Sequence, residues 1–213
     1  MKLSYFATIL LAAGVFCGVC SAYPEPAAVP AAHHWNVDVE FSKPYQISVQ
    51  LPGDTKPKRF WYIVLTVTNN ELKDVPFYPS CELMTDTLKI IPAGKNVMSV
   101  VFDRIKVVQQ GRYPYLEPLE NVDHTLLQGA DNSRDIAVIW PDFDKKAKHV
   151  DLFIGGMSNE VAAIDHPFKK DAAGNPVKVL LRKTLQLSYS FGGDNRFRSQ
   201  TKMIYKGRNW VMR

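Results

Sequence analysis

Apolar and polar positions alternate with period two over much of the chain. Trp35, Val37, Val39 and Phe41 are separated by Asn36, Asp38 and Glu40, and Tyr45, Ile47, Val49 and Leu51 repeat the pattern up to Pro52-Gly53. That period puts apolar side chains on one face of a half-buried strand. Residues 60–68, FWYIVLTVT, are apolar on both faces and rich in aromatic and β-branched types. Such a run predicts a central strand covered on both sides. Asn69-Asn70 mark a turn. The next apolar segment, 75–84, contains Pro76 and Pro79, which predicts an edge or irregular strand.

The period changes at 94–111. Val97, Val101, Ile105 and Val108 fall close to every fourth residue, with Met98 and Phe102 beside them. That spacing predicts one amphipathic helix. Alternation resumes at 135–140 and at 150–154, which ends on Gly155-Gly156. It continues through 178–191, 196–205 and 209–212. Many short strands, turn residues at regular intervals and one helix predict a mainly β chain: an antiparallel, immunoglobulin-like β-sandwich with one inserted helix.

The N-terminus has a different character. Lys2 precedes an apolar run over 5–19, and the small residues Cys20, Ser21 and Ala22 follow. This is the pattern of a secretory signal peptide over 1–22 with cleavage after Ala22. The run is shorter than a membrane span requires. Cys17-x-x-Cys20 lies inside the segment to be removed, and Ser21 stands where haem attachment needs His. Residues 23–32, YPEPAAVPAA, favour an extended polyproline conformation and form an arm or linker. Residues 33–213 then make a single domain. After cleavage Cys81 is the remaining cysteine, so no internal disulfide forms. An exported chain that relies on its core alone points to a periplasmic or other extracytoplasmic bacterial compartment.

Two blocks carry a resemblance. FWYIVLTVTNNELKDVPFYP, at 60–79, resembles the strand–turn–strand of secreted immunoglobulin-like domains. DIAVIWPDFD together with KTLQLSYSFGGDNRFR and the final WVMR is similar to exported β-sandwich proteins of planctomycete-type bacteria. The resemblance covers half of the mature chain and includes no catalytic residues. It implies a sandwich fold and export, and fold alone does not imply function.

Charge adds one diffuse signal. The net charge is +5 and the isoelectric point about 9.0. Arg196, Arg198 and Lys202 share one face of a predicted strand, with Lys206, Arg208 and Arg213 close by. This row is the predicted partner-binding surface, fitted to an acidic extracytoplasmic protein or envelope component. Its competing reading is protection of an edge strand. Nucleic acid is not an expected partner of an exported chain without a binding motif.

The other constellations give way to plainer readings. His33-His34 would hold copper only at a mature N-terminus with a second positioned His, from His124, His149 or His166. Ser158, in Gly156-Met157-Ser158-Asn159-Glu160, has Glu where a nucleophile elbow needs Gly. Asp142 and Asp144, near Asp131 and Asp135, precede Lys145, Lys146 and Lys148, which oppose a cation. Cys81 alternates with Phe77 and Leu83 and points into the core. No catalytic residue, metal or cofactor is assigned. The expected function is a non-enzymatic extracytoplasmic binding or structural module. The alternative is a carbohydrate-binding protein using Trp35, Trp61, Trp140 or Trp210, or a copper-binding sandwich protein.

Overall fold

A computed structural model describes residues 27–28, 33–192 and 201–213. Residues 1–22, the expected signal peptide, and most of 23–32, the expected arm, lie outside the described residues. The strands in chain order are β1 (Ala27–Ala28), β2 (Asp38–Phe41), β3 (Tyr45–Val49), β4 (Lys58–Thr68), β5 (Val75–Pro76), β6 (Ser80–Thr85) and β7 (Ile90–Pro92). The helix α1 (Ser99–Gln109) follows, and then β8 (Glu117–Pro118), β9 (Thr125–Leu126), β10 (Arg134–Pro141), β11 (His149–Gly155), β12 (Val161–Lys170), β13 (Pro176–Phe191) and β14 (Met203–Met212). The chain is mainly β: among the described residues two open sheets form a sandwich, accompanied by a short β5–β9 pair and one α-helix.

The smaller sheet runs β2-β4-β10-β8, with β3 also on β4. The larger runs β1-β12-β13-β11-β6-β7, with β14 also on β13. Between them lies one core, in which Trp61, Ile63, Leu65 and Val67 of β4 meet Leu83, Leu152, Leu187 and Tyr189 of the facing sheet. The opposite face of β4 carries Phe60, Tyr62 and Val64, and these pack with Val101 and Ile105 of α1 in a second core. The expected double coverage of β4 is therefore met by a sheet on one side and a helix on the other.

Three elements differ from the sequence pattern. The buried stripe of α1 is Val101, Ile105 and Gln109, whereas Val108 is 57% exposed. Strict i, i+4 steps keep the stripe on one line, and the Gln109 amide closes it by donating to Tyr62 Oη at 2.8 Å. The segment 75–84 splits at Phe77–Pro79 into β5 and β6, and β6 lies between β11 and β7 rather than at an edge. The final region has a single described strand, β14. Gly207 pairs with Ser188 and Tyr205 with Tyr189, so Lys206 is absorbed as a bulge and the strand continues.

Strand β13 outruns the sandwich. The N–H and C=O of Arg182 both bond Arg213 beyond β14, whereas the N–H of Lys183 bonds Glu160 O. Thus β14 lies along one edge of β13, while β11 and then β12 follow each other along the other. Beyond that step β12 and the first half of β13 form a ribbon with Leu180 63% and Phe168 88% exposed. Ala27–Ala28 of the arm pair with Ala162 and Ala163 on the outer edge of β12.

Two substitutions test which positions carry the fold. Leu65→Ala empties a fully buried position between the sheets and should cost about 2–5 kcal/mol in chemical denaturation. Val108→Ala on the exposed side of α1 should stay within about 0.5 kcal/mol. A comparable loss at both would refute the stripe assignment.

Candidate binding site

Strands β13 and β14 contain Lys178, Arg182, Lys183, Lys206 and Arg208, and neither contains Asp or Glu. Lys178 is paired with Asp165 at 2.5 Å and Lys183 with Glu160 at 2.7 Å. Arg213, just past β14, is paired with Glu82 at 2.8 Å. Arg182, Lys202, Lys206 and Arg208 are exposed and have no ion pair or side-chain hydrogen bond among the described residues. Lys202 precedes β14, Lys206 is the bulge residue and Arg208 stands opposite Leu187. Arg196 and Arg198 lie outside the described residues. No described element pairs with the second edge of β14. The strand is anchored through Tyr205, whose ring lies 5.7 Å from that of Phe41 in the facing sheet.

The remaining candidates scatter. His33 and His34 are exposed, and the backbone oxygen of His33 accepts from Asn159 Nδ2 at 2.6 Å. No three His, Cys, Asp or Glu side chains converge on a common point among the described residues. The Ser158 hydroxyl accepts the N–H of Glu160 at 3.1 Å, which makes it a turn residue. Asp142 takes the indole N–H of Trp61 at 3.0 Å and faces the Arg59 guanidinium at 3.3 Å. Asp144 accepts the N–H of Lys146, and that bond first of all holds its carboxyl below the usual range. Asp135 accepts from Thr66 Oγ1 at 2.6 Å. Cys81 is buried in the core between the sheets, and burial pushes its thiol far above the ordinary range. Trp61 and Trp140 are 1% exposed and offer no surface to a sugar. Trp35 is half-buried and Trp210 is 41% exposed beneath Lys183.

The sequence pattern did not reveal a trough at the step between β11 and β12. Two openings of about 520 and 260 Å³ share Tyr78, Gly156, Ser158 and Arg182. Trp35 and Leu180 border the first, and Phe153 and Arg213 the second. A glycine pair allows this arrangement. Gly156 has φ +83°, and a Cβ there would lie 2.4 Å from the carbonyl oxygen of Tyr78. The end of β11 therefore rests directly on the Tyr78 backbone, a close approach that only glycine permits. The signal in the sequence was Gly155-Gly156 itself, since glycine in a strand pattern marks close backbone approach.

Gly156→Ala should consequently cost about 3 kcal/mol or more in thermal or denaturant unfolding, combining backbone strain with a clash. Gly174→Ala is the control. It has φ +85° with open space around the added carbon, so it should lose only the left-handed penalty of about 1–2 kcal/mol. Equal losses would show that contact with Tyr78 does not hold the trough.

Comparison with family models, with curated proteins and with solved structures finds no match for this chain.

Proposed function

We propose that the chain is an exported, non-enzymatic binding module that docks an extracytoplasmic partner of acidic surface through the β14 edge. One observation carries this reading: Lys202, Lys206 and Arg208 lie along an edge with no carboxylate on either supporting strand and no described partner. Elsewhere on the same strands, cations within reach of an acid are paired with it. Uncompensated charges on one margin produce a field that steers an oppositely charged surface and raises the association rate.

Edge protection explains the Lys206 bulge equally well, but it does not account for the lack of acids on both strands. Arg196 and Arg198, which the sequence pattern groups with Lys202, lie outside the described residues. Export is supported by the pattern of residues 1–22, and no helix among the described residues is long and apolar enough to cross a membrane.

The triple charge reversal Lys202→Glu, Lys206→Glu and Arg208→Glu tests the proposal. All three positions are exposed, so unfolding should shift by no more than about 1 kcal/mol. A partner cross-linked to the wild-type protein in the extracytoplasmic fraction, and then purified, should lose binding to the variant. Its wild-type affinity should fall steeply between low and physiological salt. Unchanged affinity with unchanged salt dependence would leave these residues as edge protection only.

A further inference from the structure

We infer that the trough at the β11–β12 step binds an acidic oligosaccharide, with Arg182 receiving a uronate carboxylate and Tyr78 supporting a sugar ring. This site is separate from the β14 edge and does not depend on the docking proposed there.

Charge comes first. Glu82 and Glu160 border the trough, but Arg213 and Lys183 already pair with them at 2.8 and 2.7 Å. Arg213 is further held over the Phe153 ring at 4.2 Å. Arg182 borders both openings and has no side-chain partner among the described residues. The trough thus presents one uncompensated guanidinium, whose planar fork matches a carboxylate. A neutral ligand would leave that charge unused, and a cation would be repelled by it.

Shape and polarity then select among carboxylates. The two openings adjoin through Tyr78, Gly156, Ser158 and Arg182, and together they give room for more than one sugar ring. Tyr78 is 63% exposed, and its ring is stacked on His124 with centroids 4.7 Å apart and planes 24° apart. One ring face is therefore backed by imidazole, which fixes the plane. A pyranose packs its C–H face on such a surface while directing its hydroxyls sideways. Ser158 accepts a backbone hydrogen bond, so its own hydroxyl proton remains available to a sugar oxygen.

An extended peptide is the less suited occupant because it would be recognised through unpaired strand edges. Several backbone groups around the trough are already engaged. Val37 N–H bonds Met157 O, Asn159 N–H bonds Trp35 O, and Lys183 N–H bonds Glu160 O. Asn36 bridges Ser158, and Ala27–Ala28 pair with β12. Recognition in the trough falls to side chains, and these combine an aromatic plane, hydroxyls and a fork for one carboxylate.

Isothermal titration of the full exported chain with tetramers of galacturonate, glucuronate, mannuronate and guluronate tests the assignment. Methyl-esterified tetragalacturonate serves as the neutral control and tetraglutamate as the peptide control. At least one uronate should bind saturably, roughly ten-fold or more tighter than the ester if it is galacturonate, as expected of a charge-assisted pair. Arg182→Gln should weaken binding of the preferred uronate roughly ten-fold, and Tyr78→Ala should weaken that uronate in the same range. Both side chains are exposed, so folding is preserved and circular dichroism checks it. The charge reversal at Lys202, Lys206 and Arg208 should leave uronate affinity unchanged, which separates this site from the β14 edge. Absence of binding by all four uronates would overturn the inference. So would full uronate affinity in Arg182→Gln, or tetraglutamate binding as tightly as the best uronate.

Discussion

Strand β4 must bury both of its faces, and most of the architecture follows from that constraint. Trp61, Ile63, Leu65 and Val67 alternate with Phe60, Tyr62 and Val64, and all are buried. At roughly 1.5–3 kcal/mol for each large apolar side chain removed from water, neither face can be left exposed. A second sheet covers one face. The other is covered by α1 together with Tyr113 and Leu116. Of the polar atoms carried into these layers, Trp61 Nε1 and Tyr62 Oη find partners in Asp142 and Gln109, whereas Trp140 Nε1 and Tyr189 Oη are buried with no hydrogen-bond partner among the described residues. The bonds from Trp61 and Tyr62 tie the loop after β10 and the end of α1 to neighbouring residues on opposite faces of β4.

The facing sheet has the opposite property. Its longest strand, β13, extends past the region where the sandwich can cover it. At Gly155 the neighbouring strand β11 stops, and β12 takes over the same edge after the 156–160 turn. A step in a sheet leaves a gap between the end of one strand and the start of the next. Here Tyr78 and Arg182 are among the residues that line the gap. The trough is thus a product of strand length, and glycine conformation at Gly156 lets its floor be built from backbone. The β14 edge arises in a related way. The Lys206 bulge interrupts regular pairing, while the half-exposed Tyr205 still reaches the rings of Phe41 and Tyr189.

What could be read in the sequence follows the strength of each periodic signal. β4, β10, β11 and β13 carry long runs of β-branched and aromatic residues, and the structure places them where the pattern does. The helix was legible from Val101 and Ile105, but its third buried position is a glutamine, which an apolar pattern passes over. Strand β12 left no signal. Its sequence, VAAIDHPFKK, mixes small, charged and proline residues because much of it is exposed on both faces. Pairing of Ala27–Ala28 with β12 was hidden by the neighbouring prolines, whose local preference is for an unpaired extended chain. The lack of acids in the last two strands was plain in the sequence. The trough was not, since its residues come from segments near 35, 78, 156 and 182 and share no spacing.

The two surfaces differ physically in ways that bear on their roles. On the β14 edge the cations are exposed to bulk solvent, where interactions beyond about 8 Å are screened at physiological salt. Such charges contribute mainly to encounter and orientation, and their effect should be spread over several residues. Arg182 is exposed too, but it borders the trough together with Tyr78 and Leu180. A carboxylate placed there would meet the planar fork of a guanidinium, which can donate two parallel hydrogen bonds to it. Under the proposed assignment, that paired geometry is what separates an acid from its ester, whereas cations spread along an open edge respond to net charge. Both surfaces lie outside the two apolar cores, so recognition can change in this fold without disturbing the packing around β4.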